Sequence, residues 1–365
     1  MSLRRDAINN RCSDMSIAII AITRNGARLG KKLQQGLIDA QLYVSARYTG
    51  QAGSKARHFD PGTLGQLVAE LWPAVDGIVF IMATGIVVRM IAPHLKSKDS
   101  DPAVTVLDDS GKFAISLLSG HLGGANALAE RCAFIIGARP VITTATDANG
   151  LPSFDMLAKE QGWVIEDISR IKLLNSMLLD DEKIAVVDDS GKTRSWFCGR
   201  GRLSYFETLA DAINSKAKGL LFVSSHYFPE RSLPENLLIL RPRNLVLGIC
   251  CKNGTSKDEM EEYVCRQLRR IFIAFKSVAL VVSVEACRGE VGLVSFAQQH
   301  ALPAVFYSSD ELSHVSVSPE RVLTEAAAAA VLASSGGQLL LCEANSANIT
   351  LALAEIREPK HVDPT

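Results

Sequence analysis

Short runs of consecutive apolar residues, each followed by a segment with helical periodicity, recur along this chain and narrow its fold more than any other feature. After Ser16, the residues up to Ile22 are all apolar; Thr23-Arg24-Asn25-Gly26 follows, then a segment to Ala40 that keeps Leu29, Leu33, Leu37 and Ala40 on one face. A run with no polar alternation fits a strand buried on both faces, and strands that alternate with helices build parallel sheets. Gln41 to Ser45 reads as the next strand, Thr63 to Leu71 as a helix and Gly77 to Met82 as a third buried strand. That strand runs through Ala83-Thr84-Gly85 into a helix, Ile86 to Ala92, stopped by Pro93. The expected fold is α/β, with mostly parallel sheets and flanking helices: an N-terminal region plus a smaller α/β C-terminal domain. A chain of 365 residues, 47% of them hydrophobic, is long enough for two or three cores. The expected boundaries are 1–152, 153–243 and 244–365.

Within this frame, Leu117 to Asn126 breaks an apolar run with Gly120, Gly123 and Gly124 around His121. Phe113 to Leu118 reads as a strand, and Ala125, Leu128, Ala129, Cys132 and Ala133 share a helical face that ends at Gly137, so the glycines occupy a strand-to-helix turn. Such a turn directs backbone N–H groups and the positive end of a helix at one point, which suits a carboxylate or phosphate, and glycine lets a ligand approach the main chain. A packing turn with a solvated histidine is an equal alternative on the loop alone. Ligands of open α/β sheets bind at the carboxyl ends of the strands, where this loop and the Gly85 turn, with Arg89 one helical turn above it, are both expected to emerge. The helix dipole favours neutral His121, whereas substrate carboxylates would oppose it, so the residues assign it a role but no titration point. Thr143-Thr144-Ala145-Thr146-Asp147 forms a second, hydroxyl-rich loop whose side chains can donate to an anion, with Asp147 a proton acceptor.

Asp108-Asp109-Ser110-Gly111 invites a metal reading, but Val186 to Lys192 nearly repeats Val106 to Lys112 without an accompanying histidine, and turn chemistry explains both as hairpins. The eight cysteines show neither a C-x-x-C pair nor zinc spacing and read as reduced, mostly buried thiols; Cys250-Cys251 sits in a turn and could be reactive but has no partner histidine. Lys plus Arg equals Asp plus Glu at 39 each, which leaves no global field for nucleic acid or an anionic membrane surface. The longest early apolar run is too short for a signal or membrane segment, and the expected location is the cytoplasm. A proline-bearing linker precedes a fresh βα series from Leu245, where Thr255 or Ser256 would cap a helix.

Over nearly its whole length the chain resembles the CbiG family of anaerobic cobalamin biosynthesis. The resemblance is most specific in Ala83-Thr84-Gly85-Ile86-Val87-Val88-Arg89, Ile91-Ala92-Pro93, Lys98 with Asp101-Pro102-Ala103-Val104, Leu117 to Asn126, and Val141 to Asp147. In the C-terminal domain Gly248, Cys251, Lys252, Gly254, Thr255 and Ser256 fit the family's glycine-rich turn. Cys250 stands where glycine is usual and Asn253 where a basic residue is common, while Cys287, Glu343 and Asn345 occupy usual lysine positions. Three cationic handles are therefore missing from one surface, and the chemistry is expected in the N-terminal region.

The resemblance implies a cobalt-precorrin-5A hydrolase, which opens a lactone on the contracted macrocycle and expels acetaldehyde to give cobalt-precorrin-5B. For that reaction the residues suggest His121 as general acid/base with Asp147 the alternate base, Gly123, Gly124 and Asn126 as oxyanion donors, and Arg89 and Lys98 as carboxylate holders. Gly85, Gly120, Thr143, Thr144 and Thr146 complete the expected binding set. Water attack is preferred to a covalent intermediate, since no Ser/His/Asp order appears. No metal or organic cofactor is expected beyond the cobalt carried by the substrate. Expected partners are that tetrapyrrole, neighbouring pathway enzymes and further copies of the chain. The main rival is a tetrapyrrole-binding or transfer protein without chemistry; a nucleotide-binding enzyme is weaker, because G-x-G-x-x-G is absent after the first strand.

Overall fold

The computed structural model describes residues 15–97, 100–228, 233–315 and 323–357. It forms two compact units, residues 1–156 and 157–365. The first holds a seven-stranded sheet of order β3-β2-β1-β4-β5-β6-β7, with β1 Ile17–Ala21, β2 Ala40–Ser45, β3 Arg57–Phe59, β4 Gly77–Ile81, β5 Ala103–Leu107, β6 Phe113–Leu118 and β7 Arg139–Val141. The first apolar run is continuous because both faces of β1 are covered. Ile17, Ile19 and Ala21 pack with Leu33, Leu128 and Cys132, while Ala18 and Ile20 pack with Trp72, Val87 and Ile91. Helices Arg24–Gly36 and Ala125–Ile136 thus cover one face, and Leu64–Leu71 and Thr84–Ile91 the other.

The strand directions correct one expectation. β1, β2, β3, β4 and β5 are parallel, but β6 returns antiparallel to β5 with Val104 opposite Leu118, and β7 follows β6. The carboxyl end of β6 therefore lies at the amino ends of β4 and β5. The His121 loop emerges at the edge opposite the Gly85 turn, because the hairpin reverses the chain between them.

The second unit contains two sheets. One has the order β10-β9-β11-β12-β8, built from β8 Val164–Ile165, β9 Ile184–Asp188, β10 Leu203–Tyr205, β11 Gly219–Val223 and β12 Leu237–Arg241. The other has the order β15-β14-β13-β17-β16, built from β13 Leu245–Cys251, β14 Val278–Val284, β15 Ala304–Tyr307, β16 Leu339–Asn345 and β17 Ile349–Glu355. The expected second hairpin is instead a strand-to-helix turn, since helix Lys192–Phe197 follows β9. Its sequence likeness to the first reflects side-chain capping. Asp188 accepts from the amides of Ser190 (3.0 Å) and Thr193 (2.8 Å), as Asp108 accepts from those of Ser110 (3.1 Å) and Phe113 (2.6 Å).

In the C-terminal sheet a Cβ on Gly248 would lie 2.1 Å from the carbonyl oxygen of Ala326. Helix Glu325–Ala333 rides that close to β13, which is why Ala326 to Ala330 are all buried. Ser256, not Thr255, caps helix Lys257–Arg270. Burial, reinforced by the neighbouring Cys287, pushes the Cys250 and Cys251 thiols up to about 12, which leaves neither a nucleophile near neutral pH. Cys287 is itself buried, and Glu343 and Asn345 are exposed on β16, bonded to each other at 2.6 Å.

Candidate active site

At the amino-end edge of β4 and β5 the chain leaves β6 through Ser119 to Gly124 and enters helix Ala125–Ile136. The turn closes on itself. The amides of Gly124, Ala125 and Asn126 donate to the carbonyls of His121 (3.1 Å), Ser119 (3.1 Å) and Gly120 (3.0 Å). The N–H groups of Gly124 and Asn126, expected to serve a ligand, are thus engaged within the loop. A Cβ on Gly123 would fall 2.3 Å from the Ser119 Cβ, and one on Gly120 would fall 2.7 Å from Asn126 Oδ1. The close approaches these glycines permit are therefore to their own chain. Gly124 supplies the left-handed backbone, φ 92°, from which the helix starts.

This folded loop presents His121 between two carboxylates. Its Nε2 is 2.7 Å from Asp147 Oδ2, and its Nδ1 is 3.2 Å from Asp155 Oδ2. The histidine side chain is 16% exposed, Asp155 8% and Asp147 46%, so one carboxylate is buried and the other faces solvent. Thr146 Oγ1 approaches the same Nε2 at 3.3 Å. Asn126 Nδ2 donates to Asp147 Oδ2 (2.8 Å) and Thr144 Oγ1 (3.0 Å), Thr144 Oγ1 donates to that same carboxylate oxygen (2.5 Å), and Ser116 Oγ donates to Asn126 Oδ1 (2.6 Å).

Burial acts to lower the His121 pKa. The hydrogen bonds and charges of Asp147 and Asp155 outweigh it and raise the pKa to about 9. His121 is consequently an imidazolium at neutral pH: two adjacent carboxylates exceed the partial charge of a helix end, which alone would favour the neutral form. Asp147 is held below the usual carboxylate range, first by its bond to His121, against the effect of burial, and further by Thr144 and Asn126. A charged acid and an ionised base therefore stand in contact at a solvent-facing edge, an arrangement suited to proton transfer. The carboxylates sit on opposite ring nitrogens and do not converge on one point; among the described residues no group of three His, Cys, Asp or Glu side chains is arranged to hold a metal ion.

His121, Gly120, Gly123, Gly124, Asn126, Thr144, Thr146 and Asp147 are thus brought together, with Thr143 exposed beside them. Gly85 is not among them: helix Thr84–Ile91 begins at the carboxyl end of β4, the opposite edge, and runs back toward the His121 edge. Its exposed residues include Gly85, Ile86, Val88 and Arg89, followed by exposed Leu95. The chain then reaches the loop directly, for the Lys96 amide donates to the Asp101 carboxylate (3.0 Å) and the Asp101 carbonyl accepts from Ser119 Oγ (3.0 Å). Lys98 lies outside the described residues. Sequence reasoning missed Ser116 and Asp155, and no local pattern marked the latter.

Residues 66–147 match the family profile described as cobalamin synthesis G N-terminal, 152–242 the cobalamin biosynthesis central region, and 245–354 the cobalamin synthesis G C-terminus. A cobalt-precorrin-5A hydrolase from Priestia megaterium is 31% identical over 93% of this chain and 94% of its own length. One from Salmonella typhimurium is 31% identical over 83% and 85%. A solved cobalamin biosynthesis protein G homologue from Sulfolobus solfataricus is 21% identical, covering 95% of this chain and 99% of that one with a TM-score of 0.36.

Proposed function

Because the chain belongs to the CbiG family of cobalamin biosynthesis proteins, we propose that it is a cobalt-precorrin-5A hydrolase, which opens the substrate lactone and releases acetaldehyde to give cobalt-precorrin-5B. The observation that carries this reading is the end-to-end match to relatives of that name. The His121–Asp147 couple, on the two loops where the family motifs are densest, supports it.

Lactone opening needs a base for water and a donor for the departing oxygen. Asp147, ionised and half-exposed, takes the proton from water, and the His121 imidazolium gives one to the oxygen that leaves the carbonyl. Loss of acetaldehyde then breaks a carbon–carbon bond. It requires removal of a proton from the freed hydroxyl and delivery of one to the ring carbon, exchanges that the same pair can make in reverse sense. Asn126 and Thr144 hold Asp147 in place. The exposed Ile86, Val88 and Leu95 beside Arg89 offer an apolar shelf with a cationic rim, the complement of a macrocycle ringed with carboxylate arms. In this reading cobalt arrives with the substrate, and the chain's residues supply proton transfer and binding without a resident metal or organic cofactor.

The proposed partners are the tetrapyrrole, the enzymes that make it and use its product, and further copies of the chain. The proposed location is the cytoplasm; among the described residues no helix is long and apolar enough to cross a membrane. A carrier that only hands the macrocycle on would have no use for an acid and a base in contact, so that reading is not favoured. Incubation of the purified protein with cobalt-precorrin-5A tests the proposal: acetaldehyde released in step with a mass gain for water and loss of the two-carbon fragment is the expected result, and binding without release would overturn it.

A further inference from the structure

The proton transfers above use only the Nε2 side of His121, yet the more deeply buried carboxylate lies at the other nitrogen. We propose that Asp155 is a positioning residue of the active site: it grips His121 through Nδ1, so that the ring stays charged and Nε2 is aimed at Asp147 and at the substrate oxygen beyond it.

The placement rests on geometry and the chemical consequence on the hydrolase reading. Asp155 Oδ2 is 3.2 Å from Nδ1, and its side chain is 8% exposed against 46% for Asp147. It belongs to the first turn of helix Phe154–Gln161, whose Phe154, Leu157 and Ala158 are completely buried, so its backbone is anchored in packed structure. Asp147 belongs to a four-residue helix, Ala145–Ala148, and is itself exposed. The two carboxylates are therefore not equivalent. When water or substrate draws Asp147 away from Nε2, the Nδ1 bond to the buried Asp155 still holds the ring. The groups facing His121 include Asp147, Asp155 and the Thr146 hydroxyl, and Asn126 and Thr144 reach the Asp147 oxygen behind them. A proton given up at Nε2 leaves a neutral ring that still donates from Nδ1 to Asp155, so the tautomer that can recover a proton at Nε2 is the one retained. Asp155 also lies beyond residue 147, where the N-terminal family match ends, so the machinery is completed by the segment that follows.

The test is Asp155→Asn in the full chain, read two ways. First, NMR titration of the His121 ring in the free protein needs no substrate: its midpoint should fall by about one unit or more, as for loss of a charge at contact distance. Second, acetaldehyde release from cobalt-precorrin-5A should slow by about tenfold or more at saturation with KM little changed, and the alkaline limb of the rate profile should move to lower pH. An unmoved titration midpoint would overturn the proposal, as would weaker binding with kcat and its pH profile intact. Should the wild-type protein release no acetaldehyde, the hydrolase reading fails, while the titration still decides whether Asp155 governs His121. Were Asp155→Asn not to fold, Asp155→Glu keeps the charge but displaces it, and an undiminished kcat in that variant would overturn the assignment.

Discussion

Asn126 and His121 address the same oxygen: Asn126 Nδ2 donates to Asp147 Oδ2 at 2.8 Å, and His121 Nε2 meets that atom at 2.7 Å. Asn126 reaches it from the first turn of its helix while accepting from Ser116 on β6, so the base is held to both the sheet and the helix. Asn126→Ala removes this tie without touching the acid. Stability should drop by about 1–2 kcal/mol, the weight of hydrogen bonds to a charged group and their unmet partners, and kcat by about tenfold as Asp147 gains freedom. Chemical denaturation and acetaldehyde release measure the two; a fully active variant would show that Asp147 needs no such support.

The ion pair also makes stability depend on pH. His121 rises from 6.5 to about 9 in the folded protein, so its contribution is complete below about pH 6.5 and is lost as pH climbs through 9. Asp147 moves the other way: its contribution is present above its ordinary value of 3.8 and fades as pH falls below that. The couple therefore stabilises most between about pH 4 and 6.5. Wild type should exceed His121→Asn in stability by about 1–2 kcal/mol there, the half-exposed Asp147 allowing for solvent screening, and the gap should close by about pH 10. A gap that stays constant from pH 6 to 10 would contradict the charge assignment.

What sequence reasoning recovered and what it missed divide by range. β1 and β4 were legible because a strand buried on both faces must be apolar throughout, and the Asp108 and Asp188 turns because an aspartate two residues before a serine accepts from that serine's amide. The His121 and Asp147 loops stood out through glycines and hydroxyls. The edge at which the His121 loop emerges was misjudged, although the β5–β6 hairpin was expected, because its reversal was not carried through to the loop that follows. Asp155 was invisible for a similar reason: helix Ala125–Ile136 and β7 separate it from His121, and no local pattern reports a pair closed by tertiary packing. The histidine's charge follows from Asp147 and that unseen neighbour together.

Two glycines separate packing from binding. Gly123→Ala would set a Cβ 2.3 Å from Ser119 Cβ and 2.7 Å from its carbonyl oxygen, so the loop must open; the melting temperature should fall by several degrees, for a cost of about 2 kcal/mol or more. Gly85→Ala meets nothing described within 4 Å and should cost no more than a few tenths of a kcal/mol or be neutral. If the shelf beside Arg89 receives the macrocycle, Gly85→Ala and Arg89→Ala should each raise KM several-fold with kcat nearly constant, since such contacts act alike in ground and transition states. A fall in kcat at unchanged KM would move Arg89 into the chemistry.

His121→Asn bears most directly on the proposed mechanism. Asparagine can still donate one bond toward Asp147 or Asp155 but cannot exchange a proton near neutral pH, so macrocycle binding should survive while acetaldehyde release slows by about a hundredfold or more. Asp147→Asn should fail differently. It leaves the acid in place, removes the base and takes away one of the two charges that raise the histidine, so residual turnover should gain from added hydroxide or external bases, whereas His121→Asn should not respond to them. Single-turnover release across pH, measured with both variants beside direct binding, distinguishes these roles. A His121→Asn variant that turns over rapidly at saturation but binds weakly would make the histidine a carboxylate anchor and leave Asp147 as the sole proton carrier.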